Sequence, residues 1–321
     1  MTDSVSAIRF ENKDGNMLFG ILEKPDKAID RSIGVLLLSP GIKMRVAPHQ
    51  LYNKMSKKLT SLGFTVFRFD FYGLGDSEGI VDEKLLADLY GSIQIGRYVD
   101  DTKCAIDWLS SQCYLEKFIL AGLCGGAVTG LLEARTDDRV IGLLGLGIPV
   151  ILDGSNVDSS KYLTTGQMDR LHQGYINRLF SIKSWLRLLS FQSDFKVIFK
   201  ILKSKLYKQN ESKTEKVKNA PVDNTNPFFA EAMFDCMDRQ CKVLYIFSGS
   251  DRLAWEYEEK FEKIYQERLN GYGNIYKSVT IDEANHILTM PKWQNEMLDL
   301  SEQWLNLHFN TIPSVNNDEV A

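Results

Sequence analysis

From residue 32 onward, short runs of apolar and β-branched residues alternate with amphipathic stretches, and this alternation constrains the fold more than any other feature of the chain. The runs are 32–40 (SIGVLLLSP), 64–71 (FTVFRFDF), 118–123, 140–149, 243–248 and 276–281, and each ends in a polar or glycine-rich turn. Runs with no polar alternation need cover on both faces, which parallel strands joined by crossover helices provide. Residues 51–62 carry apolar side chains at helical spacing, as such a crossover would. Ahead of these, 8–24 reads as two antiparallel strands around Asp14-Gly15. The expected class is α/β, with a mostly parallel central sheet flanked by helices.

The alternation fails between 151 and 241, where helical patterns and a polar stretch (209–225) replace strands. The expected organisation is therefore a core from 1–150 and 242–312, a helical cap or lid inserted at 151–241, and a polar tail at 313–321. Residues 178–208 hold eight Lys or Arg against the single Asp194, a local +7 in a protein of net charge -4, so the remainder carries -11. The basic face of 185–206 is read either as the solvated side of a lid helix or as a docking face for an acidic acyl carrier protein or for coenzyme A phosphates.

With 44% hydrophobic and 25% charged residues over 321 positions, disorder and collagen-like or coiled-coil architectures are excluded. The negative net charge excludes a general nucleic-acid-binding field. The longest nearly apolar run, 140–152, falls short of the roughly 20 residues of a membrane-spanning helix. The first residues carry no signal-peptide pattern. The five cysteines, at 104, 113, 124, 236 and 241, form no CxxC pair and have no His-rich partner tract. Neither a metal nor another cofactor is expected, and a reducing cytoplasm suits such a cysteine set.

The chemistry concentrates at 118–126 (FILAGLCGG), an apolar strand running into Gly122-Leu123-Cys124-Gly125-Gly126 and then a helix through Ala134. In a strand-turn-helix elbow the nucleophile adopts a strained backbone, and flanking glycines are required because a Cβ there would strike neighbouring backbone. The turn also places the thiol at a helix N-terminus, which favours its anion. The remaining cysteines, Cys104, Cys113, Cys236 and Cys241, are read as structural. A thiol nucleophile needs a base and a group to orient that base. Of four histidines, His286 lies just past the last strand, while His172 and His308 are read as surface residues. Asp251, at the end of the preceding strand (SGSD), is the orienting carboxylate or else a helix cap. Glu256 and Asp153 are its reserves.

The order Cys124, Asp251, His286 and the G-x-C-x-G turn resemble the α/β-hydrolase superfamily over roughly 1–150 and 242–310. The turn 72–79 (YGLGDSEG) after Asp70 resembles one found in many serine esterases, although its plainer reading is a tight polar turn with Asp76 as a local cap. More narrowly, 41–49 (GIKMRVAPH), Phe69-Asp70 and Gly122-Leu123-Cys124 are similar to the cysteine hydrolases encoded beside bacterial exosortase systems. Gly125 departs from that group, which has an acidic residue there, and Pro40-Gly41-Ile42 replaces a more glycine-rich turn. The resemblance implies that Cys124 attacks an acyl carbonyl, His286 shuttles the proton and Asp251 holds the imidazole. It implies an oxyanion hole from the backbone N–H groups of Gly125 and Ile42. Arg45 and His49 are candidates to bind a substrate anion or are simply part of a solvated loop. Trp185 in the insertion is a candidate wall of an apolar acyl site.

A cysteine acyl-enzyme is itself a thioester, so exchange with coenzyme A or carrier-protein thioesters is nearly thermoneutral, and thioesterase chemistry fits best. An acyltransferase passing the acyl group to an amine, alcohol or thiol is the alternative. A noncatalytic binding module on a hydrolase scaffold is a third reading, which the retained His286 and Asp251 disfavour.

Overall fold

The computed structural model describes residues 5–26, 30–153 and 224–309. These belong to one of two compact units of the chain, the other being 159–223. Most of the expected insertion, with His172, Trp185 and the basic stretch 185–206, and the expected tail therefore lie outside the described residues.

The chain opens with a hairpin of β1 (Val5–Glu11) and β2 (Met17–Glu23), paired in antiparallel register from Val5 opposite Glu23 to Glu11 opposite Met17. Gly15 makes its turn at φ 79°, a conformation that costs glycine nothing. Then follow β3 (Ile33–Leu38), α1 (Leu51–Ser61), β4 (Thr65–Phe69), α2 (Leu86–Gln94), α3 (Val99–Cys113), β5 (Lys117–Leu123), α4 (Gly125–Ala134) and β6 (Val140–Leu146). After the undescribed stretch come α5 (Phe229–Asp238), β7 (Lys242–Ser248), α6 (Arg252–Tyr257), α7 (Gln266–Asn270), β8 (Tyr276–Ile281) and α8 (Pro291–Phe309). The strands form one eight-stranded sheet in the order β1-β2-β4-β3-β5-β6-β7-β8. The β1–β2 and β2–β4 pairings are antiparallel, and every pairing from β4 to β8 is parallel. All six expected strand runs are present, with ends displaced by at most three residues.

Period-two alternation along the buried strands sorts their side chains onto two cores. In β3, Val35 and Leu37 face a cluster with Tyr52 and Met55 of α1 and Met297 and Trp304 of α8. Leu36 and Leu38 face the opposite cluster, with Ala127 and Leu131 of α4 and Met233 of α5. The uniform hydrophobicity of this strand follows, since neither face meets water. Helix α5 falls within the stretch 151–241 expected as insertion. Its buried Ala232, Met233, Cys236 and Met237 instead join the core beneath the sheet as the crossover between β6 and β7.

The order of strands puts β5 between β3 and β6, so the turn after β5 opens at the carboxyl edge of the sheet where successive crossovers diverge. That is where ligands bind in open α/β sheets. Leu120→Ala, at a fully buried position in mid-β5, is expected to lower stability by about 2–5 kcal/mol, measured by urea denaturation.

Candidate active site

Cys124 is the single residue between β5 and α4. Its backbone stands at φ 54°, ψ -115°, far from any conformation an L-residue adopts without strain. Glycine neighbours make this possible by removing side chains from three close approaches. A Cβ on Gly122 would lie 2.3 Å from the Gly126 carbonyl carbon, and one on Gly126 would lie 2.3 Å from the Leu38 carbonyl oxygen. One on Gly125 would come within 2.9 Å of the Gly41 Cα. The elbow is thus packed, backbone on backbone, against the end of β3. Cys124 donates its N–H to the Leu146 carbonyl at 2.8 Å, and its own carbonyl accepts from Ala127 at 3.0 Å. The thiol is half-buried and sits at the start of a ten-residue helix.

A buried phenol fixes the residue before the cysteine. Tyr52 of α1 donates its hydroxyl to the Leu38 carbonyl at 2.7 Å and accepts the Leu123 N–H at 2.8 Å. Strands β3 and β5 part after Leu38 and Gly122, and the phenol oxygen replaces the missing rung between them. Burial pushes the Tyr52 pKa upward, so the hydroxyl keeps the proton it donates. In the sequence Tyr52 is one apolar position of an amphipathic helix, and nothing there distinguishes it from packing residues.

His286 and Asp251 arrive from two stitched loops. Gly249 donates to the Ile281 carbonyl at 2.9 Å and Ser250 to the Ala284 carbonyl at 2.8 Å, which draws the turn after β8 over the turn after β7. The Asn285 carboxamide oxygen accepts the Thr289 N–H at 3.1 Å and holds the loop around His286. Nδ1 of His286 lies 2.6 Å from Oδ2 of Asp251, and the ring lies within the electrostatic reach of the Cys124 side chain. Asp251 serves both readings of the sequence, since it is the N-cap of α6 and its Oδ1 accepts the Leu253 N–H at 3.5 Å. Burial works against a charged imidazole here, but the hydrogen bond with Asp251 and the electrostatic influence of Cys124 and Asp251 outweigh it and push His286 up to about 10.

The reserve carboxylates are engaged elsewhere. Asp153 lies 3.6 Å from Nη2 of Arg252, and Glu256 accepts from Nη1 of Arg252 at 3.1 Å. The backbone of Gly41 meets Gly125, so the loop after β3, which carries Ile42, borders the elbow. The Tyr90 ring of α2, which sequence reasoning did not single out, closes over Gly41, where a Cβ would lie 2.9 Å from it. Burial first, and then proximity to Cys124 and Asp153, raises the pKa of this phenol.

Arg45 does not offer its charge to a ligand. Its guanidinium pairs with the buried Asp70 and, at 2.6 Å, with Asp76, and its N–H bonds Asp70 Oδ1 at 2.6 Å. Asp70 also accepts the Asp76 N–H at 3.1 Å. The arginine and Asp70 thereby tie the loop after β3 to the loop after β4, and Asp76 is an ion-pair partner where a local cap was expected. His49 is exposed, at φ 54° in a one-turn helix, Pro48–Gln50. His308 is half-buried against Trp304 and Phe309. Cys236 and Cys241 are buried, and burial raises the pKa of Cys104 and Cys113. No described group of three or more His, Cys, Asp or Glu is placed to hold a metal ion, and no described helix is long and apolar enough to cross a membrane.

Tyr52→Phe leaves the Leu38 carbonyl and the Leu123 N–H buried and unpaired, and each is expected to cost about 1–3 kcal/mol, read as a lower urea midpoint. The His286 ring, followed by its Cε1 proton resonance, is expected to remain protonated through neutral pH and to titrate near 10, with Asp251→Asn and Cys124→Ala each lowering the midpoint. Its ordinary pKa is 6.5, so the folded state holds the proton more tightly. That contribution to stability is complete below pH 6.5 and is lost as pH rises through about 10. The stability advantage of the wild type over His286→Gln is expected to shrink in that direction.

Comparison with known proteins finds no matching family model and no matching curated sequence. Solved structures do match. An esterase of Pyrococcus furiosus, Pf2001, superposes with a TM-score of 0.55 at 14% identity, over 95% of this chain and 90% of its own. An α/β serine hydrolase without lid from Xanthomonas campestris gives 0.50 at 14% identity, over 96% and 94%. An α/β serine hydrolase homologue from Coxiella burnetii gives 0.50 at 15%, over 95% and 97%. Together with the strand order and the elbow, these likenesses establish that the chain adopts the α/β-hydrolase fold.

Proposed function

We propose that the protein is a cysteine-nucleophile acyl hydrolase of the thioesterase or esterase kind, working through a covalent acyl-enzyme with Cys124, His286 and Asp251. The observation that carries this reading is the strained Cys124 at the elbow, within the electrostatic reach of an imidazole whose Nδ1 meets Asp251 at 2.6 Å. A ring favoured in its protonated form beside the sulfur is the electrostatic partner that a nucleophilic thiolate needs.

In the first half-reaction the sulfur adds to the acyl carbonyl, and the tetrahedral oxygen takes the backbone N–H groups of Gly125 and Ile42. Collapse breaks the bond to the leaving thiol or alcohol, which receives the His286 proton. In the second, His286 takes a proton from water, the hydroxide adds to the thioester, and the acyl carbon–sulfur bond breaks to release the carboxylic acid and return Cys124 as a thiolate beside the protonated His286. Asp251 keeps Nδ1 bonded throughout, so Nε2 always faces the reacting atoms. The N–H of Gly125, the first residue of α4, has no intrahelical partner, which is what an oxyanion hole requires. Small acyl substrates, delivered as coenzyme A or carrier-protein thioesters, suit a thiol nucleophile. We assign acyl selectivity to the insertion expected from the sequence, with Trp185 within it.

The test is incubation with a panel of acyl thioesters followed by intact-mass analysis. An added acyl mass is expected on the wild type and none on Cys124→Ala. His286→Ala is expected to acylate at least about 100-fold more slowly. An adduct that survives Cys124→Ala would overturn the assignment, and release that occurs only with an added amine, alcohol or thiol would assign acyl transfer instead of hydrolysis.

A further inference from the structure

The nine-residue helix α2 (Leu86–Gln94, LADLYGSIQ) carries a single charged side chain, Asp88. A surface helix ordinarily turns a polar face to solvent, yet Leu86 at its first position is 55% exposed and the preceding Leu85 is 54% exposed. An isolated exposed leucine needs no explanation. Leu86 differs because of what shares its face. Residues four and seven further along a helix lie on the same side, and here they are Tyr90 and Ile93.

Both reach the elbow. A Cβ on Gly125 would lie 3.1 Å from Cγ2 of Ile93, and one on Gly41 would lie 2.9 Å from the Tyr90 ring. The Tyr90 phenol also stands near Cys124 and Asp153. Exposure rises along the stripe, from the fully buried Ile93 through the half-buried Tyr90 to Leu86. At about 1.5 Å per residue, Leu86 stands about 10 Å along the helix axis from Ile93. The stripe thus begins against Gly125 of the expected oxyanion hole and ends in solvent. Asp88 points away from it, roughly 200° around the helix from both Leu86 and Tyr90.

We infer that the Leu86–Tyr90–Ile93 stripe is the wall along which a straight-chain fatty acyl group lies when its carbonyl is at Cys124. This rests on the acyl-enzyme reading above and adds the chemistry of the acyl group, an unbranched apolar chain that passes Tyr90 and covers Leu86. A chain bearing a carboxylate or an amine would find no counter-charge on the stripe. Each methylene laid on this wall is expected to raise kcat/KM by up to about fourfold.

The test measures kcat/KM for coenzyme A thioesters from acetyl to palmitoyl, with the full-length wild type, Leu86→Asn and Ile95→Asn. Ile95, the C-cap of α2, is also 55% exposed but stands about 180° around the helix from Leu86, so it controls for lost surface hydrophobicity. The wild type is expected to prefer chains that reach Leu86 over acetyl. Leu86→Asn is expected to reduce that preference at least about tenfold, and Ile95→Asn to keep it. Equal preference in wild type and Leu86→Asn, an equal loss in both variants, or a wild type that favours acetyl would overturn the inference. So would a dimer, seen by light scattering, that Leu86→Asn dissociates, since the stripe would then belong to a second copy of the chain. Calorimetric binding of decanoate to Cys124→Ala separates this inference from the catalytic one. Decanoate bound there and weakened by adding Leu86→Asn supports the wall even if no thioester acylates Cys124. Acylation of Cys124 without any chain-length preference sinks the wall and leaves the catalytic reading standing.

Discussion

The arrangement depends on one close approach of backbone to backbone, where the first turn of α4 lies against the carbonyl of Leu38 at the end of β3. No atom larger than hydrogen fits on Gly126 there, and the contact leaves Cys124 at φ 54°, ψ -115°. Strain of this kind persists only where its surroundings over-determine it. Here the Leu146 carbonyl takes the Cys124 N–H, the Tyr52 hydroxyl takes the Leu123 N–H, and Gly41 presses on Gly125. Three neighbouring elements, β3, β6 and α1, thus hold one sulfur clear of the sheet.

A second set of contacts serves the histidine. Its position depends less on packing than on two backbone hydrogen bonds between the loops after β7 and β8 and on one carboxylate with two tasks. Because Asp251 caps α6 with one oxygen and meets His286 with the other, the rotamer that starts the helix is also the one that aligns the ring. Two functions share one side-chain conformation, so neither can relax without the other.

The fold was legible because the central strands are buried on both faces, and an uninterrupted apolar run such as 33–38 has few other homes. The elbow was legible for a related reason: glycines at 122, 125 and 126 around a cysteine record contacts that only glycine permits. What escaped the sequence were side chains whose partners lie far along the chain. Arg45 looked available to a ligand because nothing near it is acidic, yet Asp70, 25 residues on, is buried against it. Tyr52 bonds Leu123 across 71 residues, and its hydroxyl is invisible in a helical wheel that scores it as apolar. Helix α5 read as part of an insertion because its amphipathic pattern alone does not say which surface it covers.

The strand order also bears on synthesis. Cys124 directly follows the fifth strand, while Asp251 and His286 follow the last two, and the eighth strand adds to the edge only through pairing with β7. Contacts of such long sequence separation form late, because closing the loops costs entropy before the contacts repay it. A growing chain therefore displays its cysteine without the imidazole until the segment through β8 and His286 has emerged. Nascent chains and truncated products carry an ordinary thiol, and the three-residue group is completed only in molecules that have finished folding.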